Sequence, residues 1–136
     1  MSATPWQPWL DKATEDLAVA RLVLAEGHTA HACFLSQQYS EKALKACLLS
    51  KTNAYPRTHS LTDLLKRCEP FEADFARFQA ECLRMDEFYI PTRYPDAIPG
   101  MLPSGAPSEM QAQNTITAAA DILQFVTALL AQASES

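Results

Sequence analysis

The run from residue 31 to residue 52, HACFLSQQYSEKALKACLLSKT, most limits what this chain can fold into. It contains neither glycine nor proline, the two residues that most weaken a helix interior, so it predicts one long helix. Apolar residues lie on most sides of that helix, which is typical of a helix surrounded by neighbours. Its polar residues Gln38, Glu41 and Lys45 recur at helical spacing and share one side. The sequence therefore predicts a central, largely buried helix with one polar face.

Two further helices are indicated around this central one. A first helix begins at Thr4 and Pro5 and ends near Gly27, because proline favours a helix start and glycine a helix end. The short connection that follows favours an antiparallel hairpin with the central helix. Ser60 and Asp63 fit a capping box at the start of a short helix with the sequence LTDLLKRC.

The second half of the chain predicts two more helices separated by a proline-rich segment. The fourth helix has a core stripe whose members are spaced four and three residues apart, namely Phe71, Phe75, Phe78, Cys82, Met85 and Tyr89. Five of the nine prolines fall between residues 91 and 107, so no helix can continue there. Ser108 and Gln111 then cap a final apolar helix. The fold class is therefore all-α, an up-and-down antiparallel bundle of four long helices and one short helix.

Length and composition indicate a single domain over residues 1–136, with 48% hydrophobic residues. No run reaches the roughly 18 apolar residues needed to cross a bilayer. We therefore expect a cytoplasmic protein without a membrane partner. The cysteines lie far apart with no C-x-x-C pair, which favours buried free thiols; they are Cys33, Cys47, Cys68 and Cys82. Neither a metal site nor a cofactor is predicted.

Charge is unevenly distributed along the chain. The formal net charge of −5 argues against indiscriminate nucleic-acid binding, so RNA is not the expected partner. However, six of the eleven Lys and Arg residues lie between positions 42 and 67, where Asp63 is the only acid. Arg57 and His59 lie in this stretch, just ahead of the short helix. His59 is either a turn histidine bonded to backbone or, with Arg57, a contact for an anion at the helix N-terminus.

The proline-rich loop and the polar face of the central helix hold the other candidate site residues. Arg93 offers a planar guanidinium suited to phosphate or carboxylate, and a tyrosine beside it could stack on a base. Arg93 could equally tie the loop to Glu41, a carboxylate that needs a partner such as Lys45 or an arginine if it is buried. No nucleophile, second carboxylate or neighbouring histidine is visible beside Glu41, so no catalytic residue is predicted.

Several motifs together resemble the HEPN domain family. They occur in the family's order as SQQYSEKALKACL, RTHSLTDLL and YIPTRYPD, preceded by Trp9, Ala13, Asp16 and Leu17. The central-helix pattern of the family is met by Gln37, Gln38, Glu41, Lys42 and Lys45. The resemblance implies a small all-α bundle, usually a homodimer, which is often encoded beside a minimal nucleotidyltransferase and is proposed to bind nucleotides or act on RNA.

Ribonuclease members of that family carry an arginine with a histidine a few residues later near the last helices, whereas no histidine follows His59 here. The chain looks more like the branch with a TRYPD loop, for which no reaction is firmly implied. The resemblance places a ligand site on Glu41, Lys45, Tyr89, Arg93, Tyr94 and Asp96. The leading hypothesis is a non-catalytic partner that binds a nucleotide, a minimal nucleotidyltransferase, or both.

Two other hypotheses stay open. One is a ribonuclease toxin of a HEPN and nucleotidyltransferase toxin–antitoxin pair. It would use Arg57 with His59, or Arg21 with His28, in an unusual placement across a dimer. The other is a loop that only completes the fold or the dimer, so that Arg93→Ala lowers stability and affects no ligand.

Overall fold

The computed structural model describes residues 4–89, 100–102 and 105–135. This part of the chain is all-helical and contains no β-strand beyond an isolated bridge between Leu102 and Gly105. The predicted all-α helical bundle is confirmed. The α-helices are α1 (Gln7–Ala25), α2 (Thr29–Thr52), α3 (Leu61–Cys68), α4 (Gln79–Asp86) and α5 (Glu109–Glu135), and a 3-10 segment at Ala73–Phe78 precedes α4.

Helices α1 and α2 form an antiparallel hairpin. The turn between them is made by Gly27, whose φ of +88° is a left-handed conformation that glycine adopts without steric penalty. The start of α1 lies beside the end of α2, where the Trp9 and Tyr55 rings meet edge to face with centroids 4.7 Å apart. Midway along the hairpin, Lys42 of α2 forms an ion pair with Asp16 of α1.

Helix α2 is the centre of the fold and packs against α1, α3, α4 and α5. It begins at Thr29, two residues before the predicted start, and ends at Thr52. Its side chains are buried along most of its length, as the apolar residues on most of its sides predict. The buried hydroxyl of Tyr39 donates a hydrogen bond of 3.0 Å to the backbone carbonyl of Ile116 and so ties α2 to α5.

The fourth helix is shorter than the sequence pattern predicts. Helix α4 has eight residues and is preceded by the 3-10 segment, so the described chain has three long and two short helices. Glu72 is extended, and its side chain accepts a hydrogen bond from the backbone N–H of Asp74, which starts the 3-10 turn. Phe71 lies before that turn and is 44% exposed, so its predicted core position is wrong. The stripe from Phe75 to Met85 does lie in the core, whereas its last predicted member, Tyr89, is only half-buried.

Helix α5 is apolar enough to resemble a membrane span by length and composition alone. Residues Glu109–Gln132 have a mean hydropathy of 1.3 over the most apolar window. In the bundle, the inner stripe of this helix packs in the shared core with α2, and one such helix is weak evidence for a membrane span. The stripe consists of Ile116, Ala119, Leu123, Val126 and Leu130.

All four cysteines are buried free thiols, as predicted. Burial raises the pKa of Cys33 to about 11 and that of Cys82 to about 12, because the thiolate is poorly solvated in the core. Thiols with such pKa values stay protonated and unreactive at neutral pH. Within the described ranges, no group of three or more His, Cys, Asp or Glu side chains is arranged to hold a metal ion.

Candidate functional site

A buried ion pair lies on the polar face of α2. Lys45 Nζ is 2.9 Å from Glu41 Oε2, and the two side chains are 6% and 9% exposed. One helical turn separates the residues, which is the spacing at which side chains on a helix meet. Burial of an unpaired charge would be costly, so each group needs the other. The ring of Tyr55 gives Lys45 a second contact, with the ammonium 5.5 Å from the ring centroid.

His59 is the second partner of Glu41. Its Nδ1 lies 3.2 Å from both carboxylate oxygens. The prediction that no histidine lies beside Glu41 is therefore wrong, and so is the first interpretation of His59, as a turn residue whose side chain bonds to backbone. Because an ionised carboxylate only accepts, we assign the hydrogen to Nδ1, which leaves Nε2 as the acceptor of the ring. The side chain is 50% exposed, so Glu41 orients an imidazole that solvent can reach.

Tyr89 completes this group of side chains. Its ring stacks on the His59 imidazole, with centroids 4.8 Å apart and planes inclined by 21°. The structure therefore brings together four predicted site residues from three parts of the chain, and we call Glu41, Lys45, His59 and Tyr89 the Glu41 cluster. Two of its members are buried charges and two are stacked rings closer to the surface.

The N-terminus of α3 is not open to an anion. The Asp86 carboxylate accepts a hydrogen bond of 2.7 Å from the backbone N–H of Leu61 and another of 3.2 Å from that of Thr62. The hydroxyl of Ser60 accepts from the N–H of Asp63, as the predicted cap requires. A carboxylate of the protein already occupies these backbone amides, so the predicted anion contact depends on the side chains of Arg57 and His59 and stays a prediction.

Two residues that the sequence analysis did not identify as site residues hold the His59 segment in place. Gln37, fully buried in α2, donates a hydrogen bond of 3.0 Å to the backbone carbonyl of His59. Asp86 holds the next residues of the chain through their amides. No sequence signal would have revealed the role of Asp86, because its partners lie 24 to 26 residues away. Gln37 does belong to the family-like pattern in the central helix.

The remaining predicted residues do not join the cluster within the described structure. Arg57 is exposed two residues before His59, and no ion pair holds it in the described part of the chain. Arg93, Tyr94 and Asp96 lie outside the described residues. The proposed contact between Arg93 and Glu41 therefore stays a prediction, although Glu41 already has two partners.

The cationic stretch between residues 42 and 67 is partly neutralised. Three of its six cations have carboxylate partners, in the pairs Lys42–Asp16, Lys45–Glu41 and Arg67–Asp63. The other three are exposed side chains without an ion pair among the described residues; they are Lys51, Arg57 and Lys66. Arg57 is the one next to the Glu41 cluster in sequence.

The groove between α4 and α5 lies away from this cluster. It has a volume of about 910 Å³ and runs past Arg77, Glu81 and Asp121. None of the predicted site residues lines it. Arg21 lies inside α1, and His28 lies at the N-cap position of α2 without a side-chain cap; no hydrogen bond joins these two described side chains. The Glu41 cluster is therefore the best-formed candidate site.

These observations define a class of protein, a small all-α domain built on a helical hairpin, with a buried ion pair beneath a half-exposed histidine. The model of the HEPN domain matches residues 6–129. The chain belongs to the HEPN domain family, and the resemblance noted from the sequence motifs is confirmed. No curated protein matches the chain.

Solved structures support this assignment over nearly the whole chain. An archaeal HEPN homologue shares 33% identity and covers 95% of this chain and 98% of its own, with a TM-score of 0.71. A protein from Thermus thermophilus shares 32% identity over 92% of this chain and 98% of its own, with a TM-score of 0.75. A HEPN domain protein from Thermotoga maritima shares 29% identity over 90% of this chain and 97% of its own, with a TM-score of 0.70.

Proposed function

We propose that this HEPN protein is a non-catalytic module that binds a nucleotide at the Glu41 cluster. The observation that carries the proposal is the pair of stacked rings, His59 and Tyr89, held above the buried ion pair of Glu41 and Lys45. The rings offer a flat surface for a base, and the imidazole offers a polar atom beside it. A fixed arrangement of this kind lowers the cost of ordering a ligand.

Charge near the cluster favours an anionic ligand. Lys45 and Glu41 neutralise each other, so the exposed guanidinium of Arg57 is the uncompensated charge closest in sequence to His59. In the proposal, Arg57 contacts the phosphate, and His59 joins it through an Nε2–H donor when the imidazole carries both ring hydrogens. Arg93 of the TRYPD loop adds a planar guanidinium suited to the same group. Tyr94 and Asp96 belong to that loop and complete the proposed site.

The proposal also retains the partners that the family resemblance implies. These are a second copy of the chain, in a homodimer, and a minimal nucleotidyltransferase. A cytoplasmic location is part of the proposal, and the four free thiols fit a reducing compartment.

Thermal unfolding with a panel of nucleoside mono-, di- and triphosphates tests nucleotide binding. A ligand at about 100 times its dissociation constant adds about 2.7 kcal/mol to the free energy of unfolding. For a domain of this size that corresponds to a rise of about 10 °C in the midpoint. The rise should be lost in His59→Ala and in Arg93→Ala.

Arg67→Ala is the matched control, because it removes an exposed cation outside the cluster. It should respond to the nucleotide as the wild type does. The proposal is wrong if no nucleotide shifts the wild-type midpoint, or if both site variants respond like the wild type. A low midpoint for Arg93→Ala, with no nucleotide effect on the wild type, would instead assign a structural role to the loop.

The hydrogen bond between His59 and Glu41 favours a second candidate function, that of a ribonuclease. A carboxylate on Nδ1 orients the ring so that Nε2 can take or give a proton, which is the arrangement of general acid–base catalysis. Arg57 would then stabilise the phosphate as negative charge develops. Cleavage of a single-stranded RNA by the wild type, lost in His59→Ala and kept in His28→Ala, would establish this function over the binding module.

A further inference from the structure

Asp86 is not a member of the Glu41 cluster, but it forms hydrogen bonds to the segment that follows His59 and to the backbone of Tyr89. On one side, its carboxylate accepts hydrogen bonds from the amides of Leu61 and Thr62, directly after His59 and Ser60. The hydroxyl of Thr62 adds a third bond to the same carboxylate, at 2.8 Å. On the other side, the backbone carbonyl of Asp86 accepts from the N–H of Tyr89 at 3.3 Å.

We infer that Asp86 is the positioning residue of this site, which sets the His59–Tyr89 stack without touching the ligand. The inference rests on the proposed function for its ligand, but the stack itself can be observed without one. The two rings come from segments 30 residues apart in the chain, one before α3 and the other after α4. Among the described contacts between the α3 N-terminus and the end of α4, every hydrogen bond is made by the Asp86 carboxylate.

The His59–Tyr89 stack depends on Asp86 because two rings stay stacked only if the backbone segments that carry them are held at a fixed distance. Gln37 fixes the carbonyl of His59, and Glu41 fixes the imidazole of the same residue, so both act on one ring only. Among the described residues, Tyr89 is held by the stack and by the bond from its backbone N–H to the carbonyl of Asp86. Loss of the Asp86 carboxylate should therefore let the two rings separate, although every group that touches the ligand is still present.

The variant Asp86→Ala tests this role, with Ser60→Ala as the matched control. Both substitutions remove a side-chain cap from the same helix end, so both should lower the unfolding midpoint. Ser60 bonds mainly to the amide of Asp63 in its own helix, whereas Asp86 reaches across to α3 from α4. Only Asp86→Ala should therefore affect the stack.

The readout is the ring-current shift that Tyr89 imposes on the imidazole protons of His59, measured by proton NMR. The chain has three histidines, so these resonances can be assigned with His59→Ala, and Tyr89→Leu gives the unstacked reference. We expect Asp86→Ala to move the His59 resonances to the unstacked position, and Ser60→Ala to leave them in place. Nucleotide binding should weaken about ten-fold in Asp86→Ala, which corresponds to about 1.4 kcal/mol.

Asp86→Asn keeps one acceptor for the α3 amides but loses the second. Its ring-current shift on the His59 protons should therefore lie between those of the wild type and the alanine variant. This conservative variant keeps the test usable if Asp86→Ala does not fold. The inference is overturned if Asp86→Ala and Asp86→Asn both retain the wild-type ring-current shift. If the wild type binds no nucleotide, the proposed function fails, and the NMR comparison still decides the role of Asp86.

Discussion

Replacement of Glu41 by leucine should strongly destabilise the fold, because it leaves the Lys45 ammonium buried without its carboxylate. The Lys45 side chain is only 6% exposed, and the lost contact is 2.9 Å long. Removal of one partner of a buried ion pair typically costs about 3–5 kcal/mol. The Tyr55 ring, 5.5 Å from the ammonium, offsets part of this loss, since a cation–π contact contributes about 0.5–2 kcal/mol. We therefore expect a loss of about 3 kcal/mol.

The double variant Glu41→Leu/Lys45→Met should recover most of that stability. Replacement of a whole buried pair by apolar residues of similar volume is often neutral or stabilising. If Glu41→Leu is much less stable than the double variant, its loss of stability comes from the unpaired Lys45 ammonium and not from lost packing. The matched control is Arg67→Met, which breaks an exposed pair with the same spacing and should change stability by less than about 0.5 kcal/mol.

Urea unfolding followed by circular dichroism measures these differences. A loss of about 3 kcal/mol is a large part of the roughly 5–15 kcal/mol that stabilises a typical domain. The urea concentration at the unfolding midpoint should therefore fall clearly, while the dependence of the unfolding free energy on urea concentration stays constant. The reasoning is refuted if Glu41→Leu costs less than about 1 kcal/mol. It is also refuted if the double variant is as unstable as the single one.

Three other variants test the core and a turn. Burial raises the pKa of the Cys33 thiol from 9.0 to about 11, so the folded state holds this proton more tightly than the unfolded chain does. The resulting stability is complete below pH 9.0 and is lost as the pH rises through about 11, and Cys33→Ala should flatten that part of the urea-unfolding pH profile. A Cβ at Gly100 would lie 1.7 Å from the backbone oxygen of Ala30, so Gly100→Ala should lower the thermal midpoint clearly more than Gly27→Ala, which has a similar φ but open space around its Cβ. Tyr39→Phe should cost about 1 kcal/mol in urea unfolding, because it removes one buried hydrogen bond to α5.

The helices were predictable from the sequence because their signals are local. The absence of glycine and proline fixed the extent of α2 to within two residues, and the Ser60 cap marked the start of α3. The fourth helix was overestimated for the same reason. A stripe spaced by threes and fours has the same appearance in a 3-10 turn followed by a short helix as in one long helix. The extended Glu72 that starts the turn has no distinctive sequence signal.

The site was only partly predictable, because its contacts join distant segments. Glu41 and Lys45 lie one turn apart on one helix, so their pairing could be anticipated. The contact of His59 with Glu41 spans 18 residues and depends on how the turn after α2 folds back. Asp86 was not identified at all, since an acid near the end of a helix is more often a solvated residue. Spacing reveals which residues share a helix face but not which loop returns to it.

The buried ion pair of Glu41 and Lys45 is better explained by its role in positioning His59 than by a contribution to the stability of the fold. An apolar pair at positions 41 and 45 should support the fold at least as well, so stability alone gives no reason for a carboxylate there. Glu41 also binds Nδ1 of His59, which fixes the ring beside Tyr89, and Lys45 holds that carboxylate in place. The variant Glu41→Leu/Lys45→Met should therefore fold as stably as the wild type and still lose the nucleotide-induced rise in the unfolding midpoint. If it keeps that rise, the ion pair has no part in the site, and ligand recognition must depend on the loop that carries Arg93.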